Sequence, residues 1–211
     1  MTSTKYIDLC PLARTDLPAI LGIRNDHRIE GDYQPTAPRP ITMRMLEAHD
    51  EAGLCALSSG GEDDIEFGIR DPNDPSGALL GIAGLYDVDP WAGIAEVGVT
   101  LGYEAARGRG LGIDAYVALA MYAFDGLGLR KLVGHVKGSN EAARGTCARL
   151  GLVEEGVLRE HRWLRGAWED LHCYAFFARQ WTPDYVDWRD RELDLPTSGE
   201  IRIRRTTRTA S

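Results

Sequence analysis

The sequence predicts an α/β fold in which helices flank a mixed central sheet. Short runs of alternating apolar and polar residues, typical of strands, are interleaved with longer segments whose apolar residues recur every three or four positions, typical of helices. A pair of consecutive strands around Arg165-Gly166 predicts a hairpin near the end of this pattern. With 44% hydrophobic and 27% charged residues, the 211-residue chain is expected to form one domain with a buried core.

The first half predicts one strand, two helices and then a meander of three strands. Thr15 or Asp16 can cap the first helix and Pro18 suits its first turn, while three prolines predict a surface loop at 32–40. We expect Met43, Leu46 and Ala52 to face inward from the second helix. The predicted segments are a strand at 6–11, helices from 15 and over 42–53, a turn at 60–64, and strands at 65–69, 78–85 and 95–101.

The second half alternates helices and strands. Apolar residues at helical spacing predict a helix over 111–124, which Gly126-Leu127-Gly128 ends. A strand at 131–136, a helix at 140–150 and the hairpin strands 157–164 and 168–177 follow. Residues 182–211 are polar, with four arginines and no acid from Ile201 onward. We therefore predict a domain over 1–181 and a polar extension over 182–211, either a solvated tail or a segment that folds back.

The charge and the cysteine pattern exclude several classes of function. The 24 basic and 32 acidic residues give a net charge of −8, which disfavours nucleic acid as a partner and favours a cationic substrate. The four cysteines form no Cys-x-x-Cys pair and the histidines lack a ligand spacing, so no metal site is expected. The sequence contains neither an apolar run of about 18 residues nor a leader, which predicts a cytoplasmic protein with no membrane partner.

A glycine-rich, basic turn follows the strand at 95–101. Arg107-Gly108-Arg109-Gly110-Leu111-Gly112 leads from this strand into the helix at 111–124. Glycines permit close backbone approach, and the N–H groups and dipole of a helix N-terminus favour an anion. The turn lacks the Gly-Lys-Ser/Thr of a P-loop, and its position along the chain does not suit a dinucleotide fingerprint. The pattern therefore predicts a phosphate site of another kind.

Arg107-x-x-Gly110-x-Gly112 resembles the Gln/Arg-x-x-Gly-x-Gly/Ala acyl-CoA motif of the GNAT superfamily of N-acetyltransferases. Asn140 before a helix that ends at Leu150-Gly151-Leu152, and Gly166-x-Trp168-x-Asp170 after it, resemble the branch of the ribosomal-protein N-terminal (RimJ/RimL-like) acetyltransferases. The resemblance spans about residues 6–181 and implies the GNAT fold. It also implies acetyl-CoA as co-substrate, a bacterial type of enzyme and a homodimer, for which Trp181, Tyr185 and Trp188 are candidate interface aromatics.

The resemblance implies where acetyl-CoA binds. The pyrophosphate would lie on the amides of 107–112, the pantetheine arm would pair with the strand at 97–101, and the Val99 N–H would donate to the thioester oxygen. Asn140 would contact the cofactor near its arm. The implied cofactor residues are Val97, Val99, Leu101, Arg107, Gly108, Arg109, Gly110, Leu111, Gly112, Asn140 and Cys147.

Glu96 is the first candidate for the general base. Strand alternation places it with Gly98 and Thr100, opposite the face of Val97, Val99 and Leu101. A carboxylate beside the cofactor can accept an ammonium proton, and its alternative role is a structural ion pair. His135, on the next strand, is a candidate proton relay or a structural histidine. At the hairpin position where some members of the resembled family carry a carboxylate that acts as the general base, this chain has Arg162.

The sequence departs from the family at the proton donor. Many GNAT enzymes carry a tyrosine seven residues after the asparagine, where this chain has Cys147, and the serine found three residues after it in the ribosomal branch is Ala143. Three explanations stay open: water donates the proton, Tyr174 or Cys147 substitutes, or catalysis has been lost.

The acceptor is expected to be a primary amine, either a small molecule or a protein N-terminus. Tyr86, Asp87 and Trp91 precede the main strand and suit an ammonium through charge and cation–π contact, although Trp91 could equally anchor the loop. The resemblance predicts acetyl transfer by direct attack, without a covalent acyl-enzyme. The alternatives are a longer acyl-CoA donor or a non-catalytic acyl-CoA sensor.

Overall fold

The computed structural model describes residues 7–26, 41–51, 64–102, 110–164, 166–181, 191–194 and 201–205. In these ranges nine strands form one sheet, with four α-helices beside it, which confirms the predicted α/β class. The strands are β1 Asp8–Pro11, β2 Ile65–Arg70, β3 Leu79–Asp89, β4 Ile94–Leu101, β5 Lys131–Lys137, β6 Val153–Leu164, β7 Ala167–Phe177, β8 Arg191–Asp194 and β9 Ile201–Arg205. The helices are α1 Leu17–Asn25, α2 Met43–Glu51, α3 Leu111–Met121 and α4 Glu141–Arg149.

The sheet is mixed because one pair of neighbouring strands is parallel. The strand order is β6-β7-β5-β4-β3-β2-β1-β9-β8, and β4–β5 is the parallel pair. The β4–β5 ladder covers three positions and ends at Glu96↔Val133, whereas β5 pairs with β7 along its whole length. The C-terminal half of β4 therefore has a backbone edge that its neighbour β5 does not cover.

Two apolar clusters cover opposite faces of the sheet. On the α3 face, α3 packs on alternate residues of the central strands, such as Leu85, Val97 and Leu132. On the other face, called the α1 face, Ile20 and Ile23 of α1 and Leu46 of α2 pack on the sheet. The inward positions predicted for Met43 and Leu46 are confirmed, whereas Ala52 lies outside the described residues.

The start of α1 differs from the prediction that Thr15 or Asp16 caps it. A 3₁₀ turn precedes the helix, and no side-chain cap is formed at Asp16. The Asp16 carboxylate instead accepts the Ala13 N–H at 2.8 Å and the Arg70 guanidinium at 2.6 Å. Because Asp16 is only 6% exposed, this buried acid is held by β2 and does not serve α1 directly.

The segments that follow residue 181 extend the sheet. β9 pairs antiparallel with β1, at Asp8↔Arg202 and Leu9↔Ile201, and β8 pairs with β9. This placement follows the alternative in which the extension folds back, and the domain boundary at 181 stays a prediction. The half-buried Trp181, a candidate interface aromatic, packs its ring on Phe124 and Phe176, and its place in an interface stays a prediction. The predicted loop at 32–40, Tyr185 and Trp188 lie outside the described residues.

Candidate active site

Strand β4 presents two different faces, as its alternation predicts. Val97, Val99 and Leu101 pack into the apolar cluster on the α3 face, whereas Glu96 points to the α1 face. Leu111, at the start of α3, belongs to the same cluster and is 2% exposed. The side chains of Val97, Leu101 and Leu111 therefore serve the core, so that only their backbone is available to a bound cofactor.

The uncovered edge of β4 carries backbone groups that point toward β5. The Gly102 N–H donates to the Leu80 carbonyl on β3 at 2.8 Å. Because the direction of backbone groups alternates along a strand, the N–H groups of Val97 and Val99 point the other way. A Cβ atom built on Gly134 of β5 would lie 4.0 Å from the Val97 carbonyl oxygen, which places that oxygen on the β5 side. The Val99 N–H therefore lies beyond the end of the β4–β5 ladder.

The N-terminus of α3 has the geometry of an anion site. Gly110 precedes the helix with φ 81°, a left-handed conformation that favours glycine. The first N–H groups of the helix have no acceptor within it, and the helix dipole adds a partial positive charge there. Gly112 is half-buried in the first turn. Arg107, Gly108 and Arg109 lie outside the described residues.

Glu96 and His135 form a hydrogen-bonded pair on the α1 face. The Nδ1 atom of His135 lies 2.9 Å from Oε1 of Glu96, and the two side chains are 38% and 34% exposed. The hydrogen bond to Glu96 raises the pKa of His135, against the opposing effect of partial burial. The two predicted base residues are therefore brought together, next to the point where β4 and β5 stop pairing.

Of the three residues proposed to meet the acceptor, Tyr86 and its sequence neighbour Asp87 form one group, and Trp91 lies apart from them. Tyr86 lies directly opposite Glu96 in the β3–β4 ladder, and its hydroxyl donates to Glu66 Oε1 at 3.0 Å. Its ring lies over Gly84, since a Cβ at that glycine would come within 2.7 Å of the tyrosine oxygen. Asp87, next to Tyr86, has φ 47° and is exposed. Trp91 is 99% exposed in the β3–β4 turn and is not brought to Glu96.

Tyr174 and Cys147 lie together on the α3 face, on the side of the sheet opposite to Glu96. The Tyr174 phenol lies near Arg144 of α4 and Glu154 of β6, and both groups influence its pKa. Burial, and to a lesser degree Glu154, raises the pKa of Tyr174. Burial also raises the pKa of the Cys147 thiol, to about 11. Both groups therefore keep their protons at neutral pH.

Asn140 is the N-cap residue of α4. Its side-chain oxygen accepts the Ala143 N–H at 3.1 Å, which satisfies one of the donors at the start of the helix. The position of α4, and with it that of Cys147, thus depends on Asn140.

A family model described as the acetyltransferase (GNAT) domain matches residues 7–153. The chain belongs to this GNAT acetyltransferase family. The match includes β4, the start of α3 and α4, the elements that carry the site.

Individual relatives agree with this assignment. A Bacillus subtilis (strain 168) protein named "Putative ribosomal N-acetyltransferase YdaF" is 31% identical over 105 residues, which cover 50% of this chain and 57% of YdaF. A spermidine N-acetyltransferase from Vibrio cholerae, solved with CoA and spermine, shares the fold with a TM-score of 0.69 at 23% identity, over 82% of this chain and 96% of its own. A dodecameric structure of spermidine N-acetyltransferase from Vibrio cholerae gives a TM-score of 0.66 at 21% identity, over 86% and 96%.

Three residues of this GNAT site were not singled out in the sequence. Glu154 accepts a hydrogen bond from His172, whose Nδ1 lies 3.0 Å from Glu154 Oε2. This hydrogen bond is the largest cause that lowers the pKa of Glu154, and the neighbouring Tyr174 is the second. Arg144 completes the set from α4. The register of the β6–β7 hairpin, which pairs Glu154 with Tyr174, is the signal that could have found Glu154.

The described residues show neither a cluster of metal ligands nor a membrane-spanning helix. In the part of the chain that the structure describes, no group of three or more His, Cys, Asp or Glu side chains is arranged to hold a metal ion. Among the same residues, no helix has the length and apolar character needed to cross a membrane.

Proposed function

We propose that the protein transfers an acetyl group from acetyl-CoA to a primary amine, which attacks the thioester directly without a covalent acyl-enzyme. The observation that carries the proposal is the position of the Glu96–His135 pair. This pair lies where the β4–β5 ladder ends, beside backbone groups of β4 that β5 does not use. A proton acceptor for the amine and a hydrogen-bond donor for the thioester oxygen are two of the groups that amine acylation requires, and both lie on one strand here.

The described residues fit acetyl-CoA, which would supply an activated acyl group. The α3 N-terminus at Gly110 would hold the pyrophosphate through backbone N–H groups. The edge of β4 from Val97 to Leu101 would bind the pantetheine arm as an added strand does. The Val99 N–H would donate to the thioester oxygen and stabilise the charge that develops there. Asn140 would hold α4 in place beside the arm.

In this proposal the ammonium group loses its proton on the α1 face of the sheet, and the departing thiolate gains one on the α3 face. Glu96, supported by His135, would accept the ammonium proton on the α1 face, directly or through a water molecule. Tyr174 is the preferred donor to the departing thiolate, because its phenol lies on the α3 face near Arg144 of α4. The buried Cys147 thiol, whose pKa burial raises to about 11, is the other candidate side chain. Water stays an alternative donor.

The acceptor is a small amine or a protein N-terminus. The name of YdaF favours a ribosomal-protein N-terminus, whereas the net charge of −8 favours a cationic amine such as a polyamine. Tyr86 and Glu66 next to Glu96 provide a surface suited to an ammonium group. We place the protein in the cytoplasm and propose a homodimer as its working form.

A thiol-release assay tests the proposal. Acetyl-CoA is incubated with the protein and with a ribosomal-protein N-terminal peptide, spermidine or an aminoglycoside, while calorimetry measures CoA binding. We expect CoA binding and amine-dependent release of thiol that is faster with acetyl-CoA than with longer acyl-CoA donors. Absence of CoA binding would overturn the proposal, and CoA binding without release would favour the sensor alternative.

A further inference from the structure

A hydrogen-bonded pair of side chains lies next to Tyr174 on the α3 face. The Nδ1 atom of His172, on β7, lies 3.0 Å from Oε2 of Glu154, on β6. The His172 side chain is 14% exposed and that of Glu154 is 43% exposed, so the imidazole is the more enclosed of the two. The acetyl-transfer steps proposed above give this Glu154–His172 pair no role.

The register of the β6–β7 hairpin places both members of the pair beside Tyr174. Glu154 lies directly opposite Tyr174, and opposed residues of an antiparallel ladder share a face, with Cβ atoms about 5 Å apart. His172 precedes Tyr174 by one strand repeat and therefore shares that face as well. The two rings lie nearly parallel, at an angle of 14° and with 6.3 Å between their centroids. Tyr174 is thus flanked by the carboxylate from β6 and by the imidazole from its own strand.

His172 also lies against the segment that leads into α4. A Cβ atom built on Gly138 would lie 3.8 Å from Nε2 of His172. The Gly138 N–H donates to the Asp170 carbonyl at 3.0 Å, which ties this segment to β7 just before α4 begins. The imidazole therefore has Glu154 at one nitrogen and Gly138 beside the other, which limits its freedom to move away from the neighbouring tyrosine ring.

A bulge in β6 separates Glu154 from the adjacent Glu155. The register against β7 shifts directly after Glu154, so that β6 has one extra residue at this point. Glu155 binds the ammonium group of Lys131, on β5, at 2.6 Å. A second bulge follows further along β6, where Asp170 accepts the Glu160 N–H at 2.9 Å. Two consecutive glutamates of β6 are therefore matched in chemistry, but only Glu154 is opposite the tyrosine.

Titratable groups lie around Tyr174 on three of the elements packed against it. They are Arg144 and Cys147 of α4, Glu154 of β6 and His172 of β7, while β5 places Gly134 opposite Tyr174. Burial is the largest cause that raises the pKa of Tyr174, Arg144 lowers that pKa, and Glu154 raises it again. A donor to the thiolate has to keep its proton at alkaline pH, where more of a primary amine is in its free form. The Glu154 carboxylate thus offsets the effect of Arg144 on the phenol.

We propose that Glu154, held by His172, is a positioning residue that keeps the Tyr174 side chain in place for proton donation to the departing thiolate. This inference rests on the proposed acetyl transfer. As the C–S bond of the thioester breaks, its electron pair goes to the sulfur, which takes the proton from the Tyr174 O–H bond. The phenolate that results lies near the Arg144 guanidinium and regains a proton from water. Glu154 and His172 take no part in these bond changes.

Single-turnover measurements on matched variants test the role of Glu154. The protein is saturated with acetyl-CoA and mixed with the best amine of the panel, and the rate of thiol release is followed. Glu154→Gln keeps the shape and loses the charge; it should lower this rate by about three- to tenfold, the effect of one lost polar contact, while the CoA affinity stays within about twofold. His172→Phe keeps a ring against Tyr174 but releases Glu154, and should lower the rate by a similar factor. Glu155→Gln is the matched control and should leave the rate unchanged.

The pH dependence and a double substitution distinguish positioning from a merely structural role. Because Glu154 raises the pKa of Tyr174, Glu154→Gln should shift the alkaline fall of the single-turnover rate to lower pH, and Glu155→Gln should not. In a Tyr174→Phe background, Glu154→Gln should have no further effect on the rate, because both substitutions act on the same step.

Other outcomes would overturn the inference. An unchanged rate or an unmoved alkaline fall in Glu154→Gln would remove the role of this carboxylate. An equal loss in Glu155→Gln would assign the effect to the stability of the hairpin. A full additional loss in the Tyr174→Phe background would show that Glu154 acts without the tyrosine. Failure of the proposed function is distinct from all of these, because the wild-type protein itself would then release no thiol, and the inference would be refuted with it.

Discussion

Replacement of Glu96 by glutamine removes the proposed proton acceptor with almost no change in shape. The glutamine carbonyl can still accept a hydrogen bond from His135 Nδ1, which lies 2.9 Å from the present carboxylate. It cannot take a proton from the ammonium group. The substitution therefore isolates the chemistry of Glu96 from its packing.

The expected loss follows from the surroundings of the carboxylate. A positioned general base contributes about a hundred- to ten-thousandfold to a rate. The Glu96 side chain is 34% exposed, so water can replace part of its action, and we expect the lower part of that range. Glu96→Gln should thus lower kcat/KM by about a hundred- to a thousandfold, or about 2.7–4.1 kcal/mol of transition-state stabilisation.

The pH dependence of His135 gives an independent readout. The carboxylate raises the pKa of His135 above the value of about 6.5 that it has when unfolded. The pair therefore stabilises the fold fully below that value, and the contribution is lost as pH rises through the folded pKa. In Glu96→Gln the His135 pKa, followed by NMR, should fall, and the stability difference from wild type should be larger at pH 5.5 than at pH 8.5.

Calorimetry of CoA binding is the control for this substitution. The affinity should stay within about threefold, because the proposed contacts to CoA are backbone groups of β4 and of the α3 N-terminus and do not include the Glu96 side chain. Turnover within threefold of wild type would refute Glu96 as the base. Loss of CoA binding would show that the residue supports the structure of the site instead.

Five further substitutions test separate parts of the site and of the fold. Gly110→Ala places a side chain on a residue with φ 81°, a strained conformation, and should weaken CoA binding. Gly112→Ala is the control and should leave CoA binding unchanged, because its Cβ would make an ordinary contact at 3.7 Å. Equal CoA affinities of the two variants in calorimetry would contradict the anion site. Tyr174→Phe should lower kcat by about tenfold or more with little change in the KM for acetyl-CoA, and unchanged steady-state rates would assign the proton to water. Asn140→Ser keeps an N-cap and should hold Tm while weakening CoA binding, so an unchanged affinity would reduce Asn140 to its capping role. Asp16→Ala leaves the half-buried Arg70 without its carboxylate and should cost about 2–3 kcal/mol, a fall in Tm of about 4–12 °C by calorimetry. A smaller shift would make the ion pair dispensable.

Local patterns were sufficient to predict the central elements. The alternation along β4 correctly separated Glu96 from Val97, Val99 and Leu101, because one face of the strand packs under α3. The α4 helix was found from Asn140 and the glycine that follows its end, since both are capping signals.

Long-range pairing was beyond the reach of the sequence. The contact of Trp181 with Phe124 and Phe176, and of β9 with β1, depends on which distant segments meet. The extra residues of the β6 bulge beside Asp170 leave no periodic signal in the sequence. From the sequence, Arg162 could therefore be identified only as a departure from related enzymes. The sequence could predict which face of the sheet Glu96 occupies, but not its 2.9 Å distance from His135. That distance depends on the register between β4 and β5.

Mass spectrometry after mixing the protein with acetyl-CoA and an amine panel tests the central claim most directly. Direct transfer predicts an amine that gains one acetyl group while the protein keeps its unmodified mass at every time point. An acetylated protein that forms first and then decays, with the acetyl group on Cys147, would contradict direct attack. Intact acetyl-CoA with unmodified amines throughout would contradict the assignment of Glu96 as a working base.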